Sequence, residues 1–531
     1  MKPAAQTVQF EVFPNLYKDS VSLMQISAKL REHEGVEQAS CLMATPANLE
    51  QLREAELEID ARVAPSDLLV VVRGDALACK GALEAARVML QSAGSAGDAG
   101  TAAFSIPLTS LALGVEHAPD ADLALISVPG DYAAAEAMKA LALGLHVMLF
   151  SDNVAIAEEK AIKRVARDKG LLVMGPDCGT AIINGVPLGF ANVVRRGDIG
   201  LVAASGTGLQ EVTCRIHNLG GGVSQALGTG GRDLQREIGG ITMLQGLQAL
   251  ADDPQTRVIV LISKPPAPAI ARQILGAAAQ TGKPIVVHFL GAGADAQGLP
   301  GLNWAASLRH AADCALALAL APANDHGLGR ALPPSAAAPA SAAVEKIETC
   351  AAAMAPTQSA VRALFTGGTF CYEAQLVFTA RRLACRSNAP AHGATAFDGR
   401  FEGHVFLDLG DDDYTRGRPH PMIDPSLRNE MIRAQGADPQ TAAILFDVVL
   451  GYGAHANPAQ DLAVALTAAQ AEARAHGRTL ALIGHVCGTD GDPQNKVVQI
   501  ARLVSAGAIV AGSNVEAAEL ALQLAVRRAR A

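Results

Sequence analysis

Aromatic side chains are scarce in this sequence, at 4% of 531 residues. That scarcity disfavours an aromatic-rich β-sandwich and suits α/β layers built from small residues. Paired cysteines are missing too. The nine cysteines (Cys41, Cys79, Cys178, Cys214, Cys314, Cys350, Cys371, Cys385 and Cys487) are scattered, with no Cys-x-x-Cys and no His-rich spacing. They read as reduced, mostly buried thiols, so neither a disulfide frame nor a metal site is expected. No Lys/Arg cluster interrupts a net charge of −9, which excludes nucleic acid and anionic membrane surfaces as expected partners. No uninterrupted apolar run reaches the ~18 residues of a membrane span. The stretch Met1–Thr7 leads into Val-Gln-Phe-Glu-Val-Phe without an apolar signal core, so the expectation is a soluble, cytoplasmic protein.

What the chain does have is apolar mass and glycine: half the residues are apolar and 51 are glycine. A chain this long has room for roughly three or four domains. Residues 1–100 read as a small α+β unit, with strands near Val8–Phe13, Ala39–Met43 and Leu68–Val72 and a helix over Ser20–Glu32. Residues 101–195 alternate strand and helix as a parallel, Rossmann-like unit with corners at Val128-Pro-Gly-Asp and Phe150-Ser-Asp-Asn. Residues 196–320 repeat the alternation. Residues 321–357, rich in Ala, Pro and Ser, read as a linker. Residues 358–531 alternate once more.

The segments flanking the linker match in order. Leu201–Glu211 answers Ala363–Glu373, Ala226–Leu234 answers Leu407–Tyr414, Val258–Lys264 answers Ala443–Val449, and Pro284–Gly291 answers Leu480–Gly488. Four matches in one order indicate a duplicated α/β domain. In each copy a strand hands over to a helix through small residues: Ser205, Gly206, Thr207 and Gly208 in one, Thr366, Gly367, Gly368 and Thr369 in the other. Free N–H groups and the dipole at a helix start favour an anion. Simple capping by Ser205 or Thr207 is the plainer alternative. If the copies pack about a pseudo-two-fold axis, the two starts face each other and one phosphate or carboxylate gains from both.

The arrangement resembles the succinyl-CoA synthetase superfamily. Val128-Pro-Gly-Asp-Tyr-Ala-Ala, Met174-Gly-Pro-Asp-Cys-Gly-Thr, Ser205-Gly-Thr and Gly228-Thr-Gly-Gly-Arg-Asp carry the resemblance. Within it the chain is identified as a member of the FdrA family. The motifs for this are Asp19-Ser-Val-Ser-Leu-Met, Thr45-Pro-Ala-Asn, Ser263-Lys-Pro-Pro-Ala and Asp408-Leu-Gly-Asp-Asp-Asp-Tyr-Thr-Arg-Gly-Arg-Pro-His-Pro-Met-Ile-Asp-Pro. The resemblance implies a CoA-binding-type Rossmann domain followed by two flavodoxin-like ligase domains. It also implies a substrate or CoA-like ligand near Pro129, Gly130, Pro176, Asp177, Cys178, Gly230, Gly231, Arg232, Asp233 and Asp411.

Departures from the superfamily pattern bear on mechanism. The Gly-His-Ala-Gly segment that carries a phosphohistidine is replaced by Gly301–His310, where His310 reads as a surface or packing residue on a helix. Lys264 stands where the supporting glutamate is expected. The Gly-rich first turn of the CoA domain is absent, as is an ATP-grasp domain. A lysine there turns local charge toward binding a phosphate or carboxylate. Arg416 and Arg418 present planar forks for an anion, and His420 is placed to move a proton near neutral pH. A solvated loop with internal ion pairs is the alternative for that stretch.

Three activities follow from the resemblance. The first is an FdrA-type subunit of an oxamate carbamoyltransferase-like complex in purine nitrogen catabolism, with Lys264, Arg416, Arg418 and His420 catalytic. The second is a CoA-ligase subunit, and the third a ligand-sensing scaffold. The expected partners are a small anionic substrate, other protein subunits and a further copy of the chain. No cofactor is fixed by the sequence; CoA and phosphate are the candidate ligands.

Overall fold

The computed structural model describes residues 7–57, 59–92, 108–292, 301–321, 339–416 and 418–530. The expected boundary near residue 100 and residues 322–338 of the expected linker lie outside these. Of that linker, residues 341–352 form the helix Ser341–Ala352, whose Ile347 is fully buried.

The first unit is a three-stranded antiparallel sheet of Thr7–Phe13, Leu68–Gly74 and Val36–Met43, with the long strand Leu68–Gly74 central. The outer strands are parallel to one another through the helix Ser20–Arg31, a split β-α-β arrangement. Helices Ser20–Arg31 and Ala76–Ser92 cover one face, closing a small core around Leu30, Val70, Val72 and Ala82. The second unit is a short parallel sheet of Leu123–Ile126, His146–Leu149 and Val173–Met174, flanked by helices Gly130–Ala142 and Ile156–Asp168.

Two seven-stranded sheets follow. In the first, Val223–Gly228, Arg196–Ala204, Val258–Ser263, Ile285–Phe289 and Leu302–Trp304 lie side by side in parallel. Numbered along the chain this is the order 2-1-3-4-5 of flavodoxin-like sheets. The hairpin Thr180–Ile183 and Val186–Gly189 extends the edge, so residues assigned from sequence to the preceding unit are built into this sheet. In the second sheet the same order runs through His404–Asp408, Ala360–Phe365, Thr441–Val449, Ala481–Cys487 and Ile509–Ala511. The strands are mostly apolar because helices cover both faces.

The two copies share one apolar core. Leu209, Val212 and Ile216 of the helix Gly206–Asn218 join Phe370, Ala374 and Phe378 of the helix Gly368–Ala380 in a single cluster. A polar pair crosses the same interface: His485 Nε2 lies 2.7 Å from Glu211 Oε2, both nearly fully buried. Burial opposes ionisation of Glu211, but His485, Lys496 and Arg215 outweigh it and hold the carboxyl below its ordinary range. At the corresponding position Glu373 has no such histidine. It accepts the Leu308 N–H and the Asn514 amide, and burial pushes it up to about 7.

Candidate functional site

The two Gly-rich handovers meet. Ser205 caps the helix Gly206–Asn218 through Gly208 N, and its hydroxyl lies 2.7 Å from the Thr369 hydroxyl on the opposing helix. A Cβ on Gly367 would touch Thr207. Among the described residues, the N–H groups of Gly206, Thr207, Gly368 and Thr369 have no internal acceptor. Gly206 is exposed and Gly368 half-buried, so both starts open onto one crevice.

The two starts are not equivalent, although the sequence treats them as matched. The second is flanked from inside by carboxyl groups. Asp447, fully buried on the strand Thr441–Val449, accepts the N–H of Thr366 (2.7 Å), the N–H of Gly367 (2.8 Å) and the Thr366 hydroxyl (3.0 Å). Arg428 braces it from behind, donating to the Asp447 carbonyl at 2.7 Å. Asp408, at the end of the strand His404–Asp408, lies so close to Gly368 that a Cβ there would collide with its carboxylate. The first start has Lys264 instead, half-buried just beyond the strand Val258–Ser263.

The crevice wall is strongly acidic. Asp177 is reached by solvent yet closely walled by protein; that desolvation, with Asp152 and Asp412 opposing its charge, pushes its carboxyl up to about 7. Lys264 and Arg232 pull the other way. Asp408 is pushed up to about 6 by burial, with Lys264 again opposing. Asp152 is raised by burial and by Asp412. Lys264 is thus shared by a carboxyl group at the end of the second unit and one from the second ligase-type half. Asp447 was not singled out in the sequence, and Asp408, Asp152 and Asp412 stood there only within quoted motifs, with no site role assigned to them. The available signal was a carboxylate at or near the end of an apolar strand, as in Phe-Leu-Asp408 and Leu-Phe-Asp447.

Several expected residues come together here. Gly230, at φ 81°, packs so tightly on Pro176 that a Cβ would strike its carbonyl, and Gly231 lies beside the Asp177 carboxylate. Gly130 sits under the 152–153 corner with no room for a side chain, Pro129 precedes its helix, and Ser151 donates to the Val128 carbonyl. Arg232 reaches Glu159 at 3.0 Å and the Val154 carbonyl at 2.8 Å.

Others serve the fold. Asp233 is fully buried, bound to Lys163 at 2.8 Å and to the N–H groups of Thr242 and Met243. Cys178 is buried beneath Gly228, where burial pushes its thiol up to about 12. Asp411 caps the short helix Asp412–Thr415. Arg416 and Arg418 are exposed, and neither side chain makes a hydrogen bond or ion pair among the described residues.

His420 differs from expectation. It packs beside the Phe190 ring, centroids 6.0 Å apart, and burial pushes it down to about 4. It is therefore neutral near pH 7. Met422 N–H donates to its Nδ1 at 3.2 Å, so the ring proton sits on Nε2, which lies against Gly410. At neutral pH His420 is a neutral ring whose remaining donor is Nε2–H.

A wide concavity of about 930 Å³ between helices Pro458–Ala475 and Lys496–Ser505 is lined mainly by alanine and valine and holds none of these groups. No helix among the described residues is long and apolar enough to cross a membrane.

Comparison with known proteins places this geometry. Over 523 residues the chain is 41% identical to YahF of Escherichia coli, covering 97% of this chain and 98% of that protein. The chain belongs to the YahF family. Family models match the YahF-type chain in three places: a CoA-ligase model over 364–524, a CoA binding domain over 194–291, and an AllF heavy metal-associated domain over 5–105. The CoA-binding match thus falls on the first ligase-type sheet, one unit later than the segment expected to carry it.

Further similarity is to a succinate–CoA ligase (ADP-forming) alpha subunit of Archaeoglobus fulgidus, 26% identical over 32% of this chain and 58% of that protein. An ADP-forming sulfoacetate-CoA ligase subunit of Bilophila wadsworthia is 27% identical over 29% of this chain and 54% of its own length. The chain therefore spans little more than half of these ligase subunits. A dinucleotide-forming acetyl-coenzyme A synthetase of Ca. Korarchaeum cryptofilum aligns over 77% of this chain and 83% of that one at 16% identity and a TM-score of 0.31. The family models and the ligase-subunit matches make the chain CoA-ligase-like over those segments. Carbamoyl transfer, expected from the resemblance, has no counterpart among these matched names.

The heavy metal-associated match raises a fit question that the residues answer. The first unit offers two thiols, Cys41 and Cys79, both buried. Cys41 is pushed up to about 12 by burial, and Cys79 is raised by burial while turned toward the carbonyls of Thr7 and Val72. Neither is a thiolate, the form that binds soft metals. Among the described residues no group of three or more His, Cys, Asp or Glu side chains is placed to hold an ion. The unit does not fit a metal site.

The raised carboxyls give a pH prediction. As pH falls from 8 to 6, Asp177 and then Asp408 take up protons through about 7 and about 6, and the crevice loses negative charge. Sulfate, dianionic throughout, should bind about fivefold more tightly at pH 6, the worth of ~1 kcal/mol for a solvent-reached pair. Calorimetric titration at the two pH values checks this.

Proposed function

We propose that the crevice seats the phosphate or carboxylate end of an acyl substrate in a CoA-ligase-type reaction, the chain acting as one subunit beside partner proteins. The observation that carries this reading is the open helix start at Gly206, with its free N–H groups and Lys264 beside it. Backbone donors and a lysine are a preorganised receptor for developing negative charge. In the reaction an acyl phosphate and a thiol give a thioester and inorganic phosphate. Gly206 N, Thr207 N and Lys264 would hold the departing phosphate. His420 Nε2–H would donate to an acyl oxygen, and Asp177, poised near neutrality, would accept the thiol proton. The absence of a histidine at Gly301–Ala306 favours phosphate carried on the substrate over phosphate carried on this chain.

The test has two parts. Phosphate titrated into the chain alone should bind, and the chain with its genomically adjacent partners, ATP, CoA and small carboxylates should form ADP and a thioester. A chain that binds no phosphate, and whose complex forms no thioester with any carboxylate tried, defeats the reading. Acid-labile label on any histidine of this chain after incubation with γ-labelled ATP would defeat the carrier assignment.

A further inference from the structure

The first unit, unfit for a metal, touches the rest of the molecule at two specific points. At the C-terminal end of the helix Ser20–Arg31, Arg31 reaches Asp424 Oδ2 at 2.6 Å, and both side chains are largely withdrawn from solvent, at 13% and 5% exposure. Tyr17 donates to the Ser127 carbonyl at 3.0 Å, at the corner of the second unit beside the crevice. Arg31 and Asp424 are 393 residues apart in sequence, so the contact joins two separately built domains.

Asp424 closes the segment that carries His420. The Asp424 and Ile423 N–H groups both donate to the His420 carbonyl, at 3.0 and 2.8 Å. Asp424 Oδ1 accepts from Ser426 N at 3.0 Å, at the start of the helix Ser426–Ala437. Asp424 therefore closes the turn behind His420 with its backbone N–H, anchors the next helix with one carboxylate oxygen and is held by the first unit with the other. A charge-assisted contact this short and this shielded is strong and directional. Removing one member leaves the other charge buried and uncompensated.

We propose that the first unit is a positioning arm, in which Arg31, through Asp424, sets the His420 ring against the crevice. This rests on the crevice being the binding site, and the experiment separates the two claims. Arg31 touches no crevice residue directly; it acts through the turn Pro419–Asp424.

The test uses the full chain with ¹³Cε1-labelled histidine and follows each ring by NMR as pH is lowered. In the unaltered protein His420 should titrate at about 4. His404, lodged in the second sheet and also held at about 4, is an internal control. Arg31→Met should free the turn and raise the His420 midpoint by about one unit or more toward the ordinary histidine value, leaving His404 where it was. Asp424→Asn should do the same, and exchanging the charges (Arg31→Asp with Asp424→Arg) should recover part of the shift. An unchanged His420 midpoint in both single variants overturns the arm. A shift shared equally by His404 also overturns it, because the effect is then general loosening. If His420 shifts alone while phosphate affinity stays the same, the arm stands and the functional reading of the His420 side of the crevice falls.

Discussion

Lys163→Met should destabilise the protein by about 3–5 kcal/mol, the cost of breaking a buried ion pair from one side. Lys163 has no exposed surface and is bound by Asp233 at 2.8 Å, Glu159 at 2.9 Å and the Thr229 carbonyl at 3.0 Å. The desolvation of its ammonium is offset only by those partners. A methionine fills the volume but leaves Asp233 and Glu159 as two buried carboxylates with less positive charge between them. Asp233 would keep the N–H groups of Thr242 and Met243, and Glu159 would keep Arg232. These contacts soften the loss without removing it. The network spans the helix Ile156–Asp168 and the loop before Ile241–Asp252, so the second unit should loosen from the first ligase-type sheet. The measurement is the urea midpoint of the first unfolding transition, since a chain of several domains need not unfold in one step. Exposed Lys169→Met is the control and should fall within about 0.5 kcal/mol of the unaltered protein.

Lys264→Ala should weaken phosphate binding roughly tenfold to a hundredfold while leaving the fold intact. The range reflects the ~1.5–3 kcal/mol of a hydrogen bond to a charged group, at ~1.4 kcal/mol per tenfold. Two effects oppose each other, and the first is larger. The ammonium itself is lost, while Asp408 and Asp177, without the cation that lowers their affinity for protons, hold protons more readily and repel the anion less. Lys264 is half-buried at a strand end, so truncation leaves no sealed cavity. Lys264→Glu, which restores the residue type expected from the superfamily, should abolish phosphate binding by setting another carboxylate beside the Gly206 start. Calorimetry on the three proteins decides the point. Equal affinities in all of them would place the phosphate elsewhere.

Much of the fold was legible because its signals are local. The helix expected over Ser20–Glu32 is Ser20–Arg31, and the strand expected at Leu68–Val72 is Leu68–Gly74. Duplication was legible because matching small-residue corners recur in matching order, and the two sheets share one strand order. The helix Ser341–Ala352 was obscured by its Ala/Pro/Ser-rich surroundings; burial of Ile347 against the second sheet makes its pattern meaningful only in three dimensions.

The site was half legible. Gly206, Gly230, Asp177 and Lys264 converge because strand-to-helix corners of a parallel sheet lie along one edge. Arg416 and Arg418 drew notice through charge density, yet they point to solvent. Asp447 did not, and Asp408 was noticed only as the first residue of a motif, since each is one acidic residue in an apolar strand and its meaning lies in a glycine 80 or 40 positions away. His420 was misjudged in its titration because burial beside Phe190 is a tertiary fact.

The carboxylate of Asp447 also sets a stoichiometry. A duplicated domain with two matched helix starts suggests two equivalents of ligand per chain. One start already has a tethered carboxyl group on the two N–H groups just ahead of it, those of Thr366 and Gly367, braced by Arg428, and the Asp408 carboxylate against Gly368. Calorimetric titration should therefore saturate at one phosphate per chain. Asp447 and Asp408 crowd the second start with side-chain carboxyl groups, which leaves the first as the seat for an external anion and gives the pair of copies a defined direction.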